Sequence, residues 1–113
     1  MIKMYGIPNC DSVKKAKKYL SDKSIDFTFH NYKKQGVPEH ELQQWIKQVG
    51  WEALLNKRGT TYRSLPNTVK DSIDATSVIQ LMLDNPSCIK RPILSLNGHI
   101  TVGFKNTLYA ELF

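Results

Sequence analysis

At 113 residues with 41% hydrophobic content, the chain is long enough for one domain (residues 1–113) built around one core and too short for two. It carries no apolar run near the roughly 20 residues that cross a bilayer and no charged-then-apolar leader, so a cytoplasmic protein without a membrane partner is expected. Two cysteines, Cys10 and Cys88, argue against a disulfide scaffold, and no Cys/His cluster has metal-site spacing. The net charge of +6 points to anionic partners: nucleic acid, an oxyanion, or a tripeptide with two carboxylates such as glutathione.

Residues 2–6 (IKMYG) alternate and are β-prone, and the turn-forming IPNCDS stops the strand. From Ser12 to about Lys23, Val13, Ala16, Lys17 and Leu20 recur at helical spacing with lysines on the other face, which places Cys10 at the helix cap. Residues 25–32 (IDFTFHNY) read as a second strand with Ile25, Phe27 and Phe29 alternating. Strand, helix and strand then form a right-handed parallel βαβ unit. The segment VPEHELQQWIKQVG predicts a helix with Pro38 in its first turn, Leu42, Trp45, Ile46 and Val49 on the apolar face, and Gly50 as its stop.

WEALL begins as a short helical turn that breaks at Gly59, leaving a basic, Thr-rich loop with Lys57, Arg58 and Arg63. Residues 75–84 predict another apolar helix, ended by a turn around Pro86. Two short strands, 93–96 and 100–103, flank Asn97-Gly98, the strongest short hairpin signal, and the tail KNTLYAELF reads as a final helix packing Leu108, Tyr109 and Leu112. The fold class that follows is α/β and thioredoxin-like: βαβ then ββα around a mixed four-stranded sheet, with a helical insertion between the halves.

A thiol at a helix N-terminus faces unpaired backbone N–H groups and the positive end of the helix dipole, which favour the thiolate. Lys14 acts in the same direction and Asp11 against it. The same amides bind a carboxylate or oxyanion, so nucleophile and anion site coincide. Against this stands a bland reading of Cys10 as an inert residue of the cap. Val13 occupies the place of a second cysteine in a Cys-x-x-Cys pair, so Cys10 needs an external thiol or Cys88 to resolve it. Cys88 reads as buried packing. Arg91-Pro92 has two readings: a cis-proline ledge with Arg91 aimed at a bound anion, or a strand-starting proline beside a solvated arginine. His30, His40 and His99 are scattered and read as structural or surface residues.

The stretches YGIPNCDSVKKAKKYL, WEALLNKRGTTYR and IKRPIL resemble the ArsC-like branch of the thioredoxin fold, which holds arsenate reductases, the Spx regulators and the YffB-type proteins. The likeness spans essentially the whole chain and is nearest to the YffB type. It implies that Cys10 stands on the catalytic cysteine of the reductases and Arg91 on an arginine of their oxyanion site. Lys14 stands where those enzymes have an arginine, which keeps the charge without the planar fork. Asn56 aligns with a second of their arginines and Gly103 with a third. An oxyanion enzyme relies on several fixed bidentate donors, so these departures weigh against arsenate reduction.

The resemblance therefore implies a glutathione-dependent thiol reductase. Cys10 is its nucleophile, and Asn9, Lys14, Arg58, Arg91 and Pro92 are the candidate substrate-binding set. Glutathione serves as co-substrate rather than bound cofactor, glutaredoxin is a conceivable protein partner, and the chain is expected to be a monomer. The rival reading is an Spx-like regulator that binds RNA polymerase, although those regulators carry the Cys-x-x-Cys switch that Val13 removes. Direct nucleic-acid binding through Lys14, Lys15, Lys17, Lys18, Lys33 and Lys34 is a weaker rival, because lysines at helical spacing usually form a solvated face.

Overall fold

The alternating segment Ile2–Gly6 forms β1, one of the two inner strands of a four-stranded sheet ordered β2-β1-β3-β4. The computed structural model describes all residues, Met1–Phe113. β2 (Thr28–Asn31) lies parallel to β1, with Phe29 beside Met4 and His30 beside Tyr5. β3 (Ile93–Leu96) pairs antiparallel on the other side, placing Leu94 beside Met4 and Ile93 beside Tyr5, and β4 (His99–Val102) follows it antiparallel. Asn97 and Gly98 join the last two strands with φ of 52° and 91°, the left-handed pair that a type I′ turn requires. The sheet is mixed, and its connections are the βαβ and ββα of the α/β, thioredoxin-like class.

Strand alternation divides the sheet residues between two faces. Met4 and Leu94 point to the face covered by α1 (Asp11–Asp22), whose Val13, Ala16 and Leu20 are fully buried against them together with Tyr109 of α8 (Asn106–Leu112). Val13 and Leu20 each contribute about 1.5–3 kcal/mol by leaving water. Lys17 belongs to the same apolar stripe because its ammonium sits 3.6 Å from the Phe29 ring centroid, the stem lying over apolar surface while the cation meets the π-face. Tyr5 and Ile93 are also buried, on the opposite face.

The second strand is shorter than the alternation of residues 25–32 suggests. The Asn31 side chain accepts the Lys33 N–H at 2.9 Å, and Gln35 Oε1 accepts the Asn31 N–H at 3.1 Å, so the chain turns into α2 (Tyr32–Gln35). Ile25 and Phe27 lie outside the strand and pack, half-buried, against the α1 core.

The backbone resolves into two compact units: Met1–Gln35 with Arg91–Phe113, which carries the sheet, and Gly36–Lys90, the central helical segment. In the latter, α3 (Glu39–Val49) buries Leu42 and Trp45 and closes at Gly50, whose φ of 83° favours glycine. Val49, expected on the apolar face, is 36% exposed. The short α4 (Trp51–Leu54) follows. The basic stretch after Gly59 is not all loop, since Thr60–Arg63 form a turn of helix (α5) and Asn67–Lys70 another (α6). Four residues are too few to display helical periodicity.

The next helix, α7 (Ser77–Asp84), is preceded by a reciprocal cap: Asp74 Oδ1 accepts the Thr76 and Ser77 N–H groups at 2.9 and 2.8 Å, and Ser77 Oγ accepts the Asp74 N–H at 3.0 Å. A turn of 3₁₀ helix, Pro86–Cys88, and an isolated antiparallel bridge between Leu55 and Ile89 complete this unit. No helix is long and apolar enough to cross a membrane.

Candidate active site at Cys10

β1 ends at Gly6, and the chain turns through Ile7, Pro8 and Asn9 into Cys10, the N-cap of α1. Cys10 has extended backbone angles (φ −123°, ψ 127°), and its carbonyl accepts the Lys14 N–H at 3.0 Å to start the helix. The thiol is free, half-buried against the core, and makes no capping hydrogen bond. The cap is thus closed by its backbone alone. The first-turn N–H groups have no side-chain acceptor there, the condition under which a helix start takes an anion. Asn9 and Lys14 are exposed on either side of Cys10, whereas Val13 is completely buried.

Gly6 explains how this turn is held. A Cβ at Gly6 would stand 2.9 Å from Val13 Cγ2 and 3.7 Å from Arg91 Cβ, so the first turn of α1 and the Arg91-Pro92 segment both close on a residue with no side chain. The Arg91-Pro92 peptide bond is cis. Pro92 is buried, and its carbonyl accepts the Gly103 N–H at 2.8 Å. Gly103, which stands in place of an arginine in the resemblance, therefore contributes a backbone bond and a left-handed φ of 79°.

Asn9, Cys10, Lys14, Arg91 and Pro92 all belong to the sheet-bearing unit. Arg58 belongs to the other. There its side chain is exposed and its N–H donates to Asn56 Oδ1 at 3.2 Å. Asn56 Nδ2 donates in turn to the Ser87 carbonyl at 3.1 Å, and the Asn56 N–H donates to the Cys88 carbonyl at 2.7 Å. Asn56 is thus spent on fixing its own loop. Cys88 is fully buried, and burial pushes its thiol above the ordinary value.

Tyr5 and Tyr32, which carry no motif, and His30, expected to be structural or on the surface, form an aromatic cluster at the same end of the sheet. The Tyr5 and His30 rings lie 5.2 Å apart across the β1–β2 pair, and His30 and Tyr32 lie 6.0 Å apart, edge to face. Tyr32 is buried, and its hydroxyl has no hydrogen-bond partner. Burial, reinforced by Tyr5 and partly offset by Arg91, holds its phenol far above the usual range, so it stays neutral. The signal for this cluster is that the carboxyl ends of parallel strands border binding sites. Applied to β1 and β2, that rule marks Tyr5, His30 and Tyr32. No group of three His, Cys, Asp or Glu side chains is placed to hold a metal ion.

The ArsC family model matches residues 5–112. The chain is 43% identical to an uncharacterised protein of Haemophilus influenzae over 113 residues, covering all of this chain and 99% of the relative. It is 29% identical to the global transcriptional regulator Spx of Staphylococcus aureus over 106 residues, 92% of this chain and 80% of the regulator. Among solved structures, a YffB protein superposes with a TM-score of 0.93 at 41% identity, covering 98% of this chain and 97% of that one. An arsenate reductase (ArsC) related protein from Brucella melitensis superposes with a TM-score of 0.79 at 48% identity, covering 97% and 92%. With a reactive residue type at the cap of α1, a family match over nearly its whole length and relatives aligned end to end, the chain belongs to the ArsC family.

Proposed function

We propose that this chain is a glutathione-linked thiol–disulfide reductase that works through Cys10 alone. The observation that carries the reading is the cap of α1: a free, half-buried thiol beside N–H groups that no side chain caps, with a buried Val13 where a second thiol would stand. The Cys10 thiolate attacks the glutathione sulfur of a mixed disulfide. The S–S bond breaks, the substrate thiolate leaves and takes a proton from water, and Cys10 is left disulfide-bonded to glutathione. The thiolate of a second glutathione attacks the glutathione sulfur of that adduct, forming glutathione disulfide and returning the Cys10 thiolate. The net change converts the mixed disulfide and one glutathione into the free substrate thiol and glutathione disulfide: the substrate sulfur gains one electron and the second glutathione's sulfur loses one.

The substrate's carboxylate docks at the first-turn amides, with Lys14 and Arg91 supplying positive charge. Arsenate is a poor fit, because Asn56 and Gly103 replace two of the arginines expected of an oxyanion enzyme and both are engaged in backbone-fixing bonds. The test is intact mass after addition of glutathione disulfide. One glutathione adduct on Cys10, absent in Cys10→Ser and removed by reduced glutathione, is expected. No adduct, or an equal adduct in Cys10→Ser, overturns the mechanism.

The likeness to Spx supports a second reading, a regulator acting through RNA polymerase. Capture of polymerase from a lysate, with equal yield from the wild-type chain and Cys10→Ser, would favour it over the reductase.

A further inference from the structure

Resting on the reading of Cys10 as the nucleophile of a glutathione-linked reductase, we propose that its substrate is a glutathionylated acidic protein, drawn in by a belt of cations around the Cys10 end of the sheet. Charge is divided unevenly between the two units. The sheet-bearing unit holds ten of the sixteen Lys and Arg residues but only four of the ten Asp and Glu, whereas Gly36–Lys90 holds six of each. The whole net charge of +6 therefore belongs to the unit that carries Cys10.

Strand register places most of this charge at one end. Gly6 of β1 lies beside Asn31 of β2, Tyr5 beside Ile93 of β3, and Ile93 beside Val102 of β4, so β1, β2 and β4 finish where β3 begins. From that end the chain leaves for Cys10. Lys33 and Lys34 follow Asn31 directly into α2, with the Lys33 N–H held by the Asn31 side chain. Arg91 enters β3 with its Cβ near Gly6, and Lys105 comes two residues after Gly103, whose N–H donates to the Pro92 carbonyl. Lys14 and Lys15 stand near the start of α1, and all five of these lysines are exposed. The six cations share this end with one carboxylate, Asp11. The unit's other carboxylates lie away from it: Asp22 pairs with Lys18 at 2.9 Å in the last turn of α1, Asp26 precedes β2, and Glu111 is in the last turn of α8.

The belt is wider than one glutathione needs. It runs from Lys33, beyond the outer strand β2, to Lys105, beyond the outer strand β4. That is three strand spacings, about 14 Å. A tripeptide at full extension reaches only about 10 Å. Glutathione brings two carboxylates, for which the first-turn amides, Lys14 and Arg91 suffice. Lys15, Lys33, Lys34 and Lys105 are left to face the molecule that carries the glutathione, and charge complementarity makes that carrier acidic. A nucleic acid would meet the same field but offers Cys10 no sulfur to exchange. Exposed lysines act here through their summed field, so they raise the rate of encounter and are screened by salt.

The test uses two peptides of equal length, each with a single cysteine bound to glutathione, flanked by glutamates in one and by glutamines in the other. In both, the Cys10 thiolate attacks the glutathione sulfur, the S–S bond breaks, and the peptide thiolate leaves and takes a proton from water. The glutathione adduct on Cys10 is followed by intact mass. At low ionic strength the acidic peptide is expected to react about tenfold faster, and the ratio to approach one in about 1 M salt. Lys33→Glu/Lys34→Glu is expected to lower the low-salt ratio about threefold, whereas a change of fold or of thiol reactivity would move both rates together. A wild-type ratio in that variant overturns the belt as the source of the preference. Equal rates at low salt, with the adduct formed from both peptides, overturn the acidic partner and leave the reductase reading standing; if duplex DNA then slows both, the field belongs to nucleic acid. No adduct from either peptide overturns the reductase reading and this proposal with it.

Discussion

Gly6 and Val13 are so close that the Cβ Gly6 lacks would stand 2.9 Å from Val13 Cγ2. Val13 cannot move away, because it is fully buried in the core that α1 shares with Met4, Ala16, Leu20 and Leu94. Gly6→Ala therefore forces the first turn of α1 off the sheet. Overpacking of this kind costs about 1–3 kcal/mol. Urea denaturation should show a lower midpoint at unchanged slope, and Cys10, three residues before Val13, should react more slowly with glutathione disulfide. Wild-type stability in Gly6→Ala would show that the helix seats elsewhere.

In the proposed cycle, the buried Val13 leaves Cys10 without a second thiol in its own turn of helix. Val13→Cys restores a pair of thiols in the first turn of α1 at the spacing of redox-active pairs, for a packing loss of about 0.5–1.5 kcal/mol. The glutathione adduct on Cys10 should then collapse to an internal disulfide within the chain, followed by mass and by loss of both free thiols. An adduct as long-lived as in the wild-type chain would mean that the buried position 13 does not reach Cys10.

Two tyrosines set the alkaline limit of stability. Burial holds the Tyr32 and Tyr109 phenols above their ordinary value. The unfolded chain thus releases these protons first, at about pH 10. Above that pH the folded state binds more protons than the unfolded one, and stability falls as pH rises; below it the contribution is fully present. Absorbance at the phenolate band should show that these two of the five tyrosines ionise only together with loss of the fold. At the acid end the sign reverses. The Ser77 and Thr76 N–H groups hold the exposed Asp74 carboxyl below its usual range, so its capping contribution is present above about pH 4 and lost as pH falls. Asp74→Ala should flatten that acid limb, and an unchanged limb would assign it to other carboxyls.

What the sequence makes legible is local punctuation. Cys10 at a helix start follows from a strand, a Pro-Asn turn and the spacing of Val13, Ala16 and Leu20, all within 20 residues. The Asn97-Gly98 hairpin needs only two residues with left-handed backbone. Features that depend on register or on distant partners are not written locally. The Tyr5–His30–Tyr32 cluster exists because β1 and β2 pair at one particular offset, and Tyr32 by itself reads as the last apolar residue of a strand. The second strand ends early through side-chain bonds of Asn31 and Gln35 that no periodicity encodes. Asn56 looks like a lost arginine until its bonds to Ser87 and Cys88, about 30 residues away, come into view.

Those bonds make the basic loop a testable object. Asn56 joins the Arg58 N–H to the Ser87 carbonyl, and Ser87 Oγ donates to Thr61 Oγ1 at 2.8 Å, so residues 56–61 are tied at two points to the turn at Pro86–Cys88. Asn56→Ala removes the Nδ2 donor and the Oδ1 acceptor together, two hydrogen bonds of about 0.5–1.5 kcal/mol each. The loop carries three trypsin sites, Lys57, Arg58 and Arg63, all exposed. Their cleavage is limited by how often the loop detaches. Asn56→Ala should therefore be cut here well before the rest of the chain unfolds. Arg58→Ala, which removes an exposed side chain but keeps the N–H that Asn56 holds, should leave the protection of Lys57 and Arg63 unchanged. Equal cleavage of wild type and Asn56→Ala would show that the Ser87–Thr61 bond and the Leu55–Ile89 bridge suffice without Asn56.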